Sequence, residues 1–202
     1  TLEDVRSFYE QWYGPNNATM VIAGDISPRA VKKMVEKYFG EIKKGPEIKN
    51  PEPWHVTLET TKKVFHEDNF ARSPRLSMSF PTVNQLDSDA PALELLGQLL
   101  GDGKKAPLYK VIVEDKKLAP NISSFSRTQE IAGTFNISST AFPTTNLTDV
   151  ENSIFDAFEM FEKEGFTIED LDRLKAKYET GFYSGISSIL NKAFQLGLYN
   201  EY

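Results

Sequence analysis

The beginning of the chain alternates apolar and polar positions in a way that predicts a helix, a turn, a short strand and a second helix. The first helix carries an apolar stripe at helical spacing, formed by Val5, Phe8, Tyr9 and Trp12. Residues 14–17 (Gly-Pro-Asn-Asn) favour a turn, and the apolar run at residues 20–23 predicts a short buried strand. Ser27 followed by Pro28 is typical of a helix start, and Gly40 is expected to end that helix.

A linker is predicted after the second helix. Residues 43–53 contain three prolines, one glycine and several charges but almost no apolar residue. We therefore predict a linker at 46–54, which separates residues 1–45 from a larger unit at 55–202. A single strand cannot form a sheet, so 1–45 is expected to be the helix–strand–helix remainder of a preceding α/β unit. Residues 193–202 show no helix stop signal, and both ends of the chain look cut.

The larger unit is predicted to mix strands and helices. Alternating or β-branched runs predict strands at residues 56–65, 75–80, 121–128 and 132–141. Helical spacing predicts helices over 92–101, around 108–112, over 150–165 and from Thr167 through Tyr178, the last opened by a capping box of Thr167 and Asp170. This order indicates an α+β fold in which helices pack on one face of a largely antiparallel sheet.

Composition excludes several classes of function. The net charge is −6 and the lysine pairs are scattered, so no basic patch indicates a nucleic-acid partner. No apolar run approaches the roughly 18 residues that a membrane span needs. The chain has no cysteine, which excludes thiol catalysis, disulfides and cysteine-rich zinc sites. The absence of cysteine does not select a compartment; a bacterial periplasmic or cytoplasmic location is the expectation.

The two histidines do not form a recognisable metal site. His55 and His66 are eleven residues apart, and neither belongs to a His-x-x-Glu-His or His-Glu-x-x-His motif. His66-Glu67-Asp68 would need a second histidine nearby to ligate zinc, so we interpret it as a surface loop. No histidine stands in a recognisable serine-protease arrangement. The sequence therefore predicts no catalytic and no metal-ligating residue, and it assigns no substrate-binding residue.

A glycine-rich stretch resembles a phosphate loop only in part. The pattern Gly-x-x-x-x-Gly-Lys, started at Gly97, needs glycine at position 102, where Asp102 stands before Gly103 and Lys104. The stretch also follows a predicted helix, whereas a phosphate loop follows a strand. We therefore exclude nucleotide binding there.

Three stretches carry a family resemblance. They are Leu2 to Tyr9 running into Tyr13-Gly-Pro-Asn-Asn17-Ala-Thr-Met-Val-Ile-Ala-Gly24-Asp25, then residues 31–40, and then Leu99-Leu-Gly101-Asp-Gly-Lys-Lys-Ala-Pro-Leu108-Tyr109-Lys110. They resemble the pitrilysin/insulinase family of zinc metallopeptidases, which includes the mitochondrial processing peptidases and the core subunits of respiratory complex III. The resemblance covers essentially the whole chain and implies a mitochondrial processing peptidase-like metallohydrolase fold with a partial copy of the preceding unit.

The resemblance also implies where the catalytic chemistry lies. Active members bind zinc through His-x-x-Glu-His and a downstream Glu, and that motif lies upstream of the stretch with which this chain begins. In the other half of these enzymes an Arg and a Tyr, seven apart, hold the substrate carbonyl. Aligning Leu118-Ala119-Pro120 with that segment places Val113 and Pro120 at those positions, and neither side chain can donate a hydrogen bond. The segment therefore does not supply that pair. The stretch from Leu108 to Ala119 is more similar to the second unit of a zinc-bearing half, and a catalytically silent half is the alternative.

The resemblance implies a non-catalytic segment of a zinc-dependent metalloendopeptidase. Its role would be to form part of the wall of a peptide-degrading chamber, with zinc and peptide substrate belonging to the full-length parent. The partner would be a second half, on the same polypeptide or as a separate subunit, and copies of the isolated segment are expected to be able to pair. The alternative is a non-enzymatic scaffold or inactive partner subunit of the same family, and an unrelated binding domain would require a different strand order.

Overall fold

A computed structural model describes residues 1–201. In chain order the elements are α1 (Leu2–Trp12), a 3-10 turn (Pro15–Asn17), α2 (Pro28–Phe39), β1 (Arg75–Thr82), α3 (Ala90–Gly101), α4 (Pro107–Tyr109), a π-helix (Lys110–Asp115), β2 (Ser123–Thr128), β3 (Gly133–Thr140), α5 (Leu147–Glu164), α6 (Ile168–Gly185) and α7 (Ile189–Glu201).

The chain forms two compact units. Among the described residues, the first contains Thr1–Pro51 together with residues 176–201, and the second contains Glu52–Lys175. Helix α6 runs from one unit into the other. The sequence-based division at 46–54 stays a prediction about domains; the structure adds that the C-terminal helical segment groups with the N-terminal one.

The second unit is built on a three-stranded antiparallel sheet. The strand order is β1-β3-β2, so the last strand in sequence is central. Ile137 on β3 lies opposite Met78 on β1 and Ser124 on β2. Along β3 every second residue from Gly133 to Ser139 is buried, because alternate side chains of a strand point to opposite faces of the sheet.

Helices cover one face of this sheet and form the core with it. The core side chains come from β3, from the α4 and π-helix region and from α5, and include Leu108, Ile112, Phe135, Ile137, Val150 and Ile154. Helix α3 packs on β2, and α5 contacts the π-helix and β1. Helices on one face of an antiparallel sheet confirm the predicted α+β fold class.

One predicted strand of the second unit is wrong. Residues 56–65 form no strand, and residues 51–70 are all exposed, with the side chains of Val64 and Phe65 81% and 86% accessible. The sequence has strand-like composition, but a strand exists only where a neighbouring backbone accepts its hydrogen bonds. Among the described residues, no strand pairs with this segment.

The first unit keeps its predicted helices but not its predicted strand. Helix α1 begins with a capping box in which Thr1 and Asp4 bond reciprocally. Helix α2 begins at Pro28, although the side chain of Ser27 makes no capping bond. Residues 20–23 form no strand, for the same reason as above, because no described strand lies beside them.

The predicted helix from Thr167 through Tyr178 is confirmed, because it lies within α6, and a further helix follows it. Helix α6 begins where expected, with Thr167 and Asp170 in a capping box, but it ends at Gly185, and α7 follows from Ile189. Gly185 and the two serines after it are weak helix formers, which favours a break at this point. The sequence-based prediction missed this break and noted only that residues 193–202 show no helix stop signal.

Candidate functional site

The two histidines lie in the exposed segment that precedes β1. His55 and His66 are both exposed, and no regular secondary structure fixes the distance between them. Within residues 1–201, no three His, Asp or Glu side chains are grouped closely enough to hold a metal ion. The donor set of these residues therefore does not fit a zinc site, which needs three or four converging ligands.

The two positions aligned with the family's Arg and Tyr are a packed valine and an exposed proline. Val113 lies on the π-helix and packs against the hydrophobic core. Pro120 is exposed, directly after the buried Ala119. The backbone between them is held by a bond from the Leu118 N–H to the Ile112 carbonyl, at 2.9 Å. Neither side chain offers a donor to a substrate carbonyl.

The glycine-rich stretch is a packing surface. The carbonyl of Gly97 accepts a hydrogen bond from the hydroxyl of Ser124, at 2.6 Å. A Cβ added at Gly101 would lie 2.5 Å from that hydroxyl oxygen, so the glycines allow α3 to approach β2 closely. Sequence reasoning excluded a phosphate loop but did not assign this role to the glycines.

A lysine, a serine and an aspartate meet beside the π-helix. Lys116 donates to the carboxylate of Asp156 and, at 3.1 Å, to the hydroxyl of Ser153. The Ser153 hydroxyl itself donates to the Asp149 carbonyl at 2.6 Å. A hydroxyl whose proton is held by a backbone carbonyl is not activated as a nucleophile, because no base takes that proton. This cluster anchors the chain after the π-helix to α5.

The face of the sheet opposite the helices is the strongest candidate for a functional surface. We call it the polar sheet face and define it by the outward-facing positions of the three strands, which are Arg75, Ser77, Ser79, Pro81, Ser123, Phe125, Arg127, Thr134, Asn136, Ser138 and Thr140. Its edge-strand positions are exposed except for Pro81, and its central-strand positions are partly or fully exposed. Most of these side chains are hydroxyls or an amide, which donate and accept hydrogen bonds.

Several of these polar groups bond to one another across the strands. Ser79 donates to the Asn136 side-chain oxygen at 2.9 Å, and the Asn136 amide donates to the Thr134 hydroxyl at 2.9 Å. The hydroxyls of Ser123 and Ser138 lie 3.2 Å apart. The face offers no nucleophile next to a base, so its chemistry is that of a binding surface. The alternation of polar with apolar residues in β1 and β3 indicated a polar side for each strand, but it did not indicate the register that joins these sides into one surface.

None of the helices within residues 1–201 is long and apolar enough to cross a membrane.

The fold is that of an α+β domain whose helices cover one face of an antiparallel sheet. The chain belongs to the family described as the peptidase M16 inactive domain, whose family model matches residues 1–178. This membership confirms the resemblance to pitrilysin/insulinase metallopeptidases on which the sequence-based function prediction rests. It also supports the prediction that the segment is not itself the catalytic one.

Three comparisons place the chain among its relatives. It is 26% identical over 205 residues to the zinc protease PqqE of Helicobacter pylori, covering 100% of this chain and 45% of that protein. The crystal structure of a protease from Helicobacter pylori matches with a TM-score of 0.83 at 24% identity, covering 100% of this chain and 49% of that one. The crystal structure of a peptidase M16 inactive domain from Pseudomonas fluorescens matches with a TM-score of 0.79 at 22% identity, covering 100% of this chain and 47% of that one. The chain thus spans about half the length of the relatives it matches.

Proposed function

We propose that this chain is the non-catalytic part of a zinc-dependent metalloendopeptidase and that its polar sheet face forms part of the wall of a peptide-degrading chamber. The observation that supports this most directly is the one-sided sheet. Helices bury one face in the core, and the other face keeps its hydroxyl and amide groups in solvent. A sheet that is polar on one side is stable with that side against water, including the water of a large cavity.

A polar wall suits the handling of many different peptides. Ser79, Ser123 and Ser138 offer short hydroxyl groups that bond to a peptide backbone without requiring a particular side chain. Of its side chains only Pro81 and Phe125 are apolar, so it has little of the apolar lining that holds one residue type tightly. A chamber wall of this kind selects peptides by size and leaves the chemistry to a zinc site elsewhere in the parent.

The closing partner is proposed to be a second half, on the same polypeptide or as a separate subunit. Within the first unit, no described residue is fully buried, and large apolar side chains of α1 such as Leu2, Val5 and Phe8 are more than half exposed. Apolar side chains exposed together favour association with another surface. Pairing of two copies of the isolated chain and a periplasmic or cytoplasmic location in a bacterium belong to the same proposal.

The chamber role is tested with single cysteines in the full-length parent, made otherwise free of cysteine. Ser77→Cys places a thiol on the polar sheet face, and Asn152→Cys places one on the exposed side of α5, in the helix layer. Each variant is treated with a small maleimide and with the same maleimide carried on a large polymer. If Ser77 faces a closed chamber, its cysteine reacts with the small reagent and is protected from the large one.

Asn152→Cys is the control, and it is expected to react with both reagents at similar rates. The parent is assayed in parallel for bound zinc and for cleavage of unstructured peptides. Equal reaction of Ser77→Cys with both reagents in an intact parent would contradict the wall and favour the scaffold role. A parent that retains the wall but neither binds zinc nor cleaves peptides would favour the inactive partner subunit.

A further inference from the structure

We propose that the polar sheet face binds extended peptides that carry acidic side chains. This inference deepens the proposed function and rests on it for its biological meaning, since the same face is the proposed chamber wall. The binding itself is a property of the sheet and is measured on the chain alone.

The charge of the face is opposite to that of the chain. Its charged residues are Arg75 on β1 and Arg127 on β2, and none of its positions carries a carboxylate. The chain as a whole has 29 acidic and 23 basic side chains, with a net charge of −6. The acidic residue nearest to Arg127 in sequence is Glu130, in the turn that connects β2 to β3, beyond the strand positions. A positive surface on an acidic protein favours an anionic partner.

Both arginines are available to a partner. Their side chains are exposed, and within residues 1–201 neither forms an ion pair. An unpaired guanidinium presents five donors in a planar fork that matches a carboxylate. A carboxylate that arrives from a peptide therefore does not have to displace an existing partner.

The register places the two arginines at diagonal corners of the face. Arg75 lies opposite Thr140, at one end of β3, and Arg127 lies opposite Thr134, six residues along the same strand. Strand rise and strand spacing then put the two positions about 22 Å apart, which an extended peptide of about seven residues spans. Two carboxylates at that spacing can contact both arginines at once.

The surface between the corners favours an extended peptide. The central positions of this surface, Asn136 and Ser138, carry short polar side chains. The side chain of Phe125, opposite Asn136 in the register, is 45% exposed. Such a surface offers hydrogen bonds to a backbone and one apolar contact to a side chain. A nucleic acid fits less well, because a continuous phosphate backbone is matched by a dense row of cations and this face has two.

The test measures binding of a fluorescent peptide to the 202-residue chain by fluorescence anisotropy. The probe is an unstructured decapeptide of Ser and Thr with two Glu residues separated by five others, which places both carboxylates on the same side of the extended peptide, about 20 Å apart. One comparison peptide carries both Glu residues side by side, and another carries Gln in their place. We expect the spaced Glu peptide to bind most tightly and its binding to weaken as salt is raised.

The variant Arg75→Gln with Arg127→Gln is expected to raise Kd for the spaced peptide about tenfold, which corresponds to about 1.4 kcal/mol. The matched control is Lys110→Gln with Lys163→Gln, which removes the same charge from the helix side and is expected to leave Kd unchanged. Circular dichroism melting checks that the arginine variant folds like the unsubstituted 202-residue chain.

Four results would overturn the inference. The first two are equal affinity for the Glu and Gln peptides, and equal affinity for the spaced Glu peptide and the one with adjacent Glu residues. The other two are an equal rise in Kd in the arginine and lysine variants, and tighter binding of a single-stranded oligonucleotide than of the spaced peptide. Arginine-dependent peptide binding combined with equal labelling of Ser77→Cys in the parent would keep this inference and contradict the chamber wall. If Ser77→Cys is protected from the large maleimide but peptide binding does not depend on the arginines, the chamber wall is kept and this inference is contradicted.

Discussion

The hydroxyl of Ser124 on β2 donates a hydrogen bond to the backbone carbonyl of Gly97 on α3, with 2.6 Å between the two oxygen atoms. Ser124 is buried, so this bond forms away from solvent. It is possible because α3 carries glycine at the two positions that face the strand, Gly97 and Gly101. The hydrogen bond and the two glycines therefore determine how closely α3 packs on β2.

We expect Gly97→Ala and Gly101→Ala to destabilise the second unit. A Cβ at position 97 would lie 3.0 Å from the Cα of Phe125, and one at position 101 would lie 2.9 Å from the backbone nitrogen of Ser124. Overpacking of this kind costs about 1–3 kcal/mol, which exceeds the gain of up to about 1 kcal/mol from alanine's helix propensity. Urea unfolding followed by circular dichroism measures the difference.

The control for these variants is Gly181→Ala in α6, where the added Cβ meets nothing within 4 Å apart from its chain neighbours and the backbone of its own helix. There alanine is expected to leave stability unchanged or to raise it by up to about 1 kcal/mol. Stability losses of the same size at all three glycines would contradict the close-packing argument.

We expect Ser124→Ala to lower the free energy of unfolding by about 1 kcal/mol. The variant leaves the Gly97 carbonyl without the hydroxyl that bonds to it, in a buried position. Ser126→Ala, two residues along the same face of β2, is the matched comparison, because the Ser126 hydroxyl has no bonding partner among the atoms of residues 1–201. Its removal is expected to leave the free energy of unfolding unchanged or to raise it, because it takes away a buried hydroxyl that has no partner. If both variants lose the same free energy of unfolding, the hydrogen bond from Ser124 to Gly97 does not account for the loss.

The glycine and serine roles mark what the sequence could and could not predict. The apolar stripes of α1, α3 and α5 and the alternation of β3 were readable, because each depends on the spacing of a residue's own neighbours along the chain. The contact of Gly97 with Ser124 joins residues 27 positions apart. A single sequence contains no signal for such a pairing.

The two wrong strands have a related cause. Residues 20–23 and 56–65 have the composition of strands, but a strand is defined by bonds to a second strand, and neither segment has one within the described residues. The polar sheet face was missed for a different reason. Ser77, Asn136 and Ser138 look like solvated positions one by one, and they become a surface only when the register places them together.

We expect Asn16→Ala to loosen the segment after α2. The Asn16 side chain donates to the Pro46 carbonyl at 2.8 Å and accepts from the Gly45 N–H at 2.7 Å, so one amide ties the 3-10 turn to a segment about 30 residues away. Limited trypsin digestion at the Lys43-Lys44 pair measures the loosening, since cleavage follows local opening. The variant is expected to be cut faster than the parent chain.

Asn16→Asp is expected to be cut at an intermediate rate, because its side chain still accepts from the Gly45 N–H but no longer donates to the Pro46 carbonyl. Asn50→Ala, an exposed position in the same segment, is the control and is expected to leave the cleavage rate unchanged. If the alanine variants at positions 16 and 50 are cut at the same rate, the amide does not hold the segment.

We expect Thr167→Ala to raise the pKa of Asp170. The hydroxyl and then the backbone N–H of Thr167 donate to its carboxylate, and these bonds hold the pKa of Asp170 below its ordinary value of 3.8. Because the folded pKa is lowered, the contribution of the carboxylate to stability is present above pH 3.8 and is lost as the pH falls through the lower, folded value. The variant loses the first of the two donors, so an NMR titration of Asp170 should shift part of the way towards 3.8.

Thr167→Ser keeps the hydroxyl and serves as the matched control, with an expected pKa of Asp170 like that of the parent chain. A pKa that is the same in the alanine and serine variants would show that the side-chain bond does not set it. The helix content of both variants is followed by circular dichroism across the same pH range, since Thr167 also accepts the Asp170 N–H at 3.1 Å.

We expect the isolated chain to retain no stoichiometric zinc after loading and dialysis, as measured by atomic absorption. His55 and His66 are the only imidazoles in the chain, both are exposed, and Zn²⁺ in proteins needs three or four ligands held in place together. Ordering an extended segment around two ligands would also cost conformational entropy that so few bonds do not offset. The variant His55→Ala with His66→Ala should therefore match the parent chain in zinc content, and a chelator should leave the melting temperature of both unchanged. One tightly held zinc per chain that is lost in the double variant would contradict the placement of the metal in another part of the parent protein.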